Sequence, residues 1–207
     1  MVVSLLMLIA GALPLQHAAF GAGPAAGPVA VRDSVQRTQW QIDPAHSNIS
    51  FSIRHLIGRV HGTFRDWSGT IQTDSGKWAQ GEVDVTIQAA SIFTDNDRRD
   101  EDLRSAHFFE VDKYPTLTFK STKVEATGDQ LKIYGNLTIR DSTRAVVLEG
   151  DFTGLMRSTD GDRIGFEAST TINRNDWGVT WNRMVEGGGL LLGDDVKISI
   201  SVEAIRK

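Results

Sequence analysis

Three histidines, His46, His55 and His61, lie close together early in the chain. Neutral imidazole is a common metal ligand, and a catalytic zinc needs three protein ligands with a fourth position open, so these residues are the first candidates for chemistry. Their spacing speaks against it. The chain contains no H-x-E, H-E-x-x-H or H-x-H word, and Gly58 between His55 and His61 leaves their relative facing undetermined. No metal is expected; hydrogen-bonded or exposed histidines at strand ends are. Nucleophilic catalysis has less support, because there is no G-x-S-x-G elbow and cysteine is absent. The carboxylate groups Asp194-Asp195 and Asp100-Glu101-Asp102 stand in hydrophilic turn or helix contexts, where solvated surface charge is the ordinary explanation. Gly187-Gly188-Gly189 lacks the lysine and helix start of a phosphate loop and reads as a flexible hairpin. No catalytic residue and no cofactor is expected.

The elements that carry these residues alternate with period two almost everywhere from Trp40 onward. After the Asp43-Pro44 break, Ile49, Phe51, Ile53 and His55 share one face, opposite Asn48, Ser50, Ser52 and Arg54. Val83, Val85 and Ile87 alternate likewise, as do Leu117 with Phe119, Leu131 through Ile139, Val146 through Phe152, Ile164 through Ala168, and Val196 through Val202. Asp74-Ser75-Gly76, Thr127-Gly128-Asp129 and Asp160-Gly161-Asp162 punctuate the runs as turns. Many strands with one apolar face imply an all-β antiparallel sandwich or barrel. The exception is Asp95 to Phe109, where Leu103, Ala106 and His107 recur at helical spacing, so one or two short helices are expected there. Full charges on the polar faces (Glu82, Asp84, Lys197, Glu203), the lack of an aromatic girdle and the helical insertion favour a barrel with an apolar interior over a membrane barrel.

The length of 207 residues suits one domain with a substantial core. A net charge of -4 from interspersed signs offers no basic stripe, so nucleic acid is not an expected partner. Residues 1–22 read as a secretory signal peptide, with an apolar run to Leu15 and small residues after it, and cleavage is expected between Ala18 and Gly23. No Lys or Arg precedes Arg32, so the basic start of such a signal is missing from the sequence. Residues 23–38 read as a disordered leader rich in Gly, Pro and Ala, and residues 39–207 as the folded domain.

A series of words along the folded region resembles the YceI-like family of periplasmic, lipocalin-like polyisoprenoid-binding proteins. They are the stretch from Trp40 to Leu56, Gly62-Thr63-Phe64 with Ser68-Gly69, Ser91-Ile92-Phe93-Thr94, Phe108-Phe109-Glu110 and Tyr114-Pro115. Phe119-Lys120-Ser121-Thr122, Gly135-Asn136-Leu137-Thr138-Ile139, Ile172-Asn173-Arg174 with Trp177-Gly178, and Leu192-Gly193-Asp194-Asp195-Val196 follow in the family's order. The resemblance implies a lipocalin-like antiparallel β-barrel with short helices inserted, located in the periplasm or secreted, that binds or transports a long-chain isoprenoid lipid without catalysis. Two departures stand out. Family members commonly carry His-Leu and then Asp-Phe-Phe where this chain has Asp102-Leu103 and His107-Phe108, and a glycine and a proline where it has Asp141 and Ala145.

On that reading the lumen is lined by Phe51, Ile53, Val60, Phe64, Val83, Val85, Leu117, Phe119, Ile133, Leu137, Ile139, Phe152 and Phe166. Gly135 and Gly150 on the same faces are expected to subtract volume and help leave it open. The expected partner is an isoprenoid or other long-chain lipid, with transient membrane contact and a homodimer left open. Two other readings also stay open: a small hydrolase or metal-dependent enzyme using His46, His55 and His61 with a carboxylate, and a structural or stress-linked interaction module with a filled core.

Overall fold

The computed structural model describes residues 37–74, 77–186 and 188–207. The expected signal peptide lies outside the described residues, as does the leader except for Arg37 and Thr38, which already belong to a strand. In chain order the strands are β1 (Arg37–Ile42), β2 (Asn48–His55), β3 (Gly58–Phe64), β4 (Trp67–Asp74), β5 (Lys77–Gln88) and β6 (Ile92–Phe93). One helix, α1 (Asp97–Arg104), precedes β7 (Thr116–Thr127), β8 (Gln130–Ile139), β9 (Ser142–Met156), β10 (Arg163–Asn173) and β11 (Leu192–Arg206).

All pairings are antiparallel, and the sheet closes on itself. β1 and β2 run along the same edge of β11, with Trp40 opposite Arg206 and Phe51 opposite Ile198, so they behave as one long strand bent in the middle. The bend falls at the expected Asp43-Pro44 break: Pro44–His46 form one turn of 3₁₀ helix, and the Asp43 carboxylate accepts the Ala45 N–H at 3.0 Å. β3 with β4 and β5 with β6 are bent in the same way, and each half pairs with its counterpart in the neighbouring bent strand. Counting each bent pair once gives a closed eight-stranded barrel, the size at which the interior either fills with side chains or holds one small ligand.

The helical expectation resolves into one α-helix. Asn96 caps it by accepting the Arg99 N–H at 3.0 Å, and Asp97 and Asp100 stand in its first turn, where the helix dipole favours negative charge. Ala106 and His107 fall in the turns that follow rather than in a second helix. The expected glycine hairpin is also present: Val185 N–H donates to Gly189 O at 3.2 Å beside a Met184–Leu190 bridge, while Gly187 lies outside the described residues.

The inward glycines act differently from expectation. Gly135 is buried, and a Cβ there would collide with the Phe119 ring, which lies over it on the neighbouring strand. Gly62 stands under the Phe51 ring in the same way. These glycines therefore seat aromatic rings instead of leaving space empty. Gly150 is crowded by the backbone of Glu167 and Ala168, so it permits a close approach of β9 to β10. We predict that Gly135→Ala destabilises the barrel by about 1–3 kcal/mol through overpacking. Denaturant unfolding checks this, and Phe119→Leu in the same chain should recover part of the loss.

Candidate functional site

The barrel encloses a cavity of about 920 Å³, toward the top of the roughly 300–1,000 Å³ range of small-molecule pockets. Its wall includes every expected site residue but one: Phe51, Ile53, Val60, Phe64, Val83, Val85, Leu117, Phe119, Ile133, Leu137, Ile139 and Phe166. β11 contributes Val196, Ile198, Ile200 and Val202, which share the apolar face seen in the sequence but were not among the expected site residues. Ile53, Val83, Val85, Ile133, Phe166, Ile198 and Ile200 all point inward yet are only half-buried. In a filled barrel such side chains would have no accessible surface, so their exposure is to the lumen.

Phe152 is the exception, and it packs in an aromatic cluster that spans the barrel. Trp78 reaches from β5 to strands that are not its sheet neighbours, placing its ring 4.9 Å from Phe152 on β9 and 5.0 Å from Phe166 on β10. Phe152 is held in this cluster and does not line the cavity, whereas Trp78 does. The cluster closes the end of the lumen beside the β7–β8 turn, where Phe152 N–H donates to Asp129 O at 2.7 Å.

The opposite end is polar and carries α1. Here the wall takes in His55, Asn96, Arg98, Glu101, Asp102, His107 and Arg183. The helix is tethered at its start by the buried Asp100 carboxylate, which accepts the Thr94 N–H at 2.9 Å together with the Thr94 hydroxyl. Arg104 at its end donates to Ala90 O and Ile92 O at 2.8 and 2.9 Å. His107 stacks on Trp181 with ring centroids 5.6 Å apart, joining the turns after α1 to the β10–β11 connection. Arg140 completes the frame, pairing with Glu110 at 2.7 Å and donating to Gly178 O at 3.1 Å. The β10–β11 connection is itself folded around Arg174, a buried guanidinium that donates to Gly193 O, Val179 O and Trp181 O. Burial pushes its pKa down from the usual value, and Asp194 partly opposes that.

The polar exchange noted in the sequence is a pair: His107 Nδ1 lies 2.9 Å from Asp102 Oδ1. The acid and the imidazole thus meet at the rim. Asp141, at the place of the family's glycine, accepts the Tyr114 hydroxyl at 3.1 Å, and this lowers its carboxyl pKa.

The three early histidines are dispersed. His55 lines the mouth, His61 is exposed on β3, and His46 sits on the bend between β1 and β2. His46 does meet two carboxylates that its sequence neighbourhood does not reveal together, Asp43 at 2.8 Å and Glu203 on β11, the three ligand atoms lying within 4.8 Å of one another. Arg163 already bridges Asp43 and Glu203, so the carboxylates have a cation of their own. The hydrogen bond from His46 holds the Asp43 carboxyl below its usual range, against opposing desolvation, and Glu203 raises the Arg163 pKa.

A closed antiparallel barrel with an apolar lumen, one sealed end and a polar, helix-capped mouth defines a lipocalin-like binding barrel. The YceI-like domain model matches residues 40–204, and the chain belongs to that family. A UPF0312 protein of Staphylococcus aureus (strain bovine RF122 / ET3-1) is 34% identical over 169 residues, covering 80% of this chain and 96% of that protein. The crystal structure of a Campylobacter jejuni YceI protein is similar with a TM-score of 0.66 at 34% identity, covering 74% of this chain and 90% of its own. A polyisoprenoid binding domain from Saccharophagus degradans, implicated in plant cell wall breakdown, shares the fold with a TM-score of 0.61 at 15% identity, over 81% of this chain and 98% of its own.

Two outcomes follow from the tether and the histidines. Asp100→Ala strands the Thr94 donors in a buried place, at about 1–3 kcal/mol, and should raise hydrogen exchange across 94–110 well above that in β7–β11. Substituting His46, His55 and His61 together by Ala should leave the barrel folded, and elemental analysis of the unaltered protein should show no stoichiometric zinc; one tightly held metal per chain would reverse that reading.

Proposed function

We propose that this chain binds a long-chain isoprenoid, polyprenyl or quinone-like, in the barrel interior and serves as a non-enzymatic carrier or reservoir for it in the periplasm or outside the cell. The observation that carries the reading is the row of inward apolar side chains left accessible inside a closed barrel. A structural module would have no reason to leave such surface unpacked, since each buried methylene stabilises by about 0.8 kcal/mol. Membership of the YceI-like family and the polyisoprenoid-binding description of the Saccharophagus degradans domain support the ligand class. The location rests on the apolar segment and small residues of positions 1–22.

Energetics set what such a protein can do. For a prenyl chain of ~40 carbons, about 0.8 kcal/mol per methylene exceeds the practical affinity ceiling of about 20 kcal/mol if water is the donor phase. A membrane solvates the same chain about as well as the lumen does, so transfer between them is nearly neutral, while escape into water is not. Discrimination then falls to the polar groups of the mouth.

Protein purified without detergent should accordingly retain a long-chain lipid, seen as an adduct in native mass spectrometry and identified after organic extraction. Ile133→Asp places an unpaired charge in the lumen and should abolish the adduct, with some loss of stability. A lipid-free native protein that takes up no prenyl lipid from vesicles would overturn the proposal.

A further inference from the structure

Four of the six large exposed hydrophobics among the described residues gather at the mouth of the cavity, while the other two, Leu155 and Met156, end β9 at the opposite end of the barrel. Leu56 (41% exposed), Ile57 (107%), Met184 (76%) and Leu190 (45%) all belong to two neighbouring connections at the mouth. The β2–β3 turn holds the first two, and the hairpin within the β10–β11 connection holds the others. The backbone joins them: Leu56 N–H donates to Leu191 O at 2.9 Å, and Leu191 N–H donates to Arg183 O at 2.9 Å. His55 pairs with Leu192, and Met184 bridges Leu190. One step further out, Ile57 follows Leu56 and Leu190 precedes Leu191, so the apolar side chains gather at the outer tip of a small three-stranded projection. Isolated surface hydrophobics need no explanation, but a contiguous apolar tip does.

The charges behind the tip indicate what meets it. Arg54 and Arg59 stand directly opposite each other across β2 and β3, an arrangement that is unfavourable unless an anion is supplied. Arg183 adjoins Met184 and also lines the cavity. None of the three makes an ion pair among the described residues. Glu186 is the only carboxylate in the hairpin sequence from Arg183 to Leu190.

We infer that the Leu56-Ile57 turn and the Met184–Leu190 hairpin form a membrane-docking tip that inserts into the interface of an anionic bilayer, with Arg54, Arg59 and Arg183 at the headgroup level. Apolar insertion combined with basic residues is how peripheral proteins reach such surfaces, and the attraction is screened by salt. Two short connections with a handful of apolar side chains give a wedge rather than the broad flat face that association with a second copy requires. His55, Arg183, Leu191 and Leu192 belong both to this projection and to the cavity wall, so docking would seat the mouth on the bilayer. The delivery role of the tip rests on the lipid-binding reading; docking itself does not.

Flotation of the purified protein with vesicles tests it, using phosphatidylcholine mixed with phosphatidylglycerol against phosphatidylcholine alone, each at low and high salt. The expected result is binding to the anionic vesicles that weakens with salt. Ile57→Asp with Met184→Asp should lower that binding by about tenfold or more, because two insertions are lost at exposed positions. Arg54→Gln with Arg59→Gln should remove the preference for anionic vesicles. Native mass spectrometry of the same samples reads the cavity lipid separately. Vesicle binding by protein that is lipid-free and takes up no prenyl lipid from the vesicles keeps the docking inference and removes the ligand reading; a lipid-loaded protein that ignores vesicles overturns docking alone. The inference also fails if the Asp double variant floats like the parent, or if its effect is to dissolve a dimer in sedimentation.

Discussion

Closure through β11 imposes the main constraint on this molecule. One edge of that strand accepts β1 along its end and β2 along its middle, and the other pairs continuously with β10. Once the sheet is closed, inward and outward faces are fixed for every strand, because a one-residue slip would exchange them. The polar faces can then hold charges such as Asp84 with Lys120 and Lys132 with Glu149 in solvent, while the apolar faces have only each other. The bends in the three doubled strands let straight, locally specified segments follow a closed wall. The Asp43-Pro44 bend is further pinned by the Arg163 contacts to Asp43 and Glu203, so this polar cluster serves closure itself.

Within that frame the interior is divided along the barrel axis. The Trp78, Phe152 and Phe166 rings pack at one end, and the rings of Phe119 and Phe51 rest against glycines along the wall. Seating a ring against a neighbouring glycine keeps the aromatic surface while withdrawing its bulk from the axis. The lumen therefore persists because side chains are drawn back to the wall, not because the wall lacks them. Toward the mouth, α1 takes over the role that side chains play at the sealed end, covering the opening with an element that has two tethers and polar groups facing the cavity.

Much of the fold could be read from alternation, since period two follows from strand geometry and needs no knowledge of partners. The Asp43-Pro44 bend was legible for the same reason: its chemistry is local. Contacts set by closure were not. Trp78 sits in Lys77-Trp78-Ala79-Gln80-Gly81, which does not alternate, and its partners lie on strands reached only across the lumen. Phe152 looked equivalent to Phe166 because both alternate correctly; both meet the Trp78 ring, yet only Phe166 also lines the cavity. Gly135 was read as missing volume, although the ring that occupies the space comes from the adjacent strand. Asp100 could not be told from Glu101 or Asp102 in a run of charges, yet it alone of the three is buried and tethers the helix.

The mouth is held by two kinds of contact. The start of α1 is held by buried hydrogen bonds from Thr94 to Asp100, which are expensive to break in a low-dielectric setting. The turns after it meet the β10–β11 connection through ring faces, His107 and Phe108 against Trp181. Ring contacts of this kind tolerate sliding, because they lack the strict directionality of a hydrogen bond. The two ends of this segment are therefore held by contacts of different kinds, with the Asp102–His107 pair between them. The same connection carries Trp181 and, through Leu191 and Leu192, meets the Leu56-Ile57 turn and His55, so it joins the lid to the tip. The acid–imidazole pair ties the last turn of α1 to the turns that follow it, so it braces this segment internally and not against the barrel.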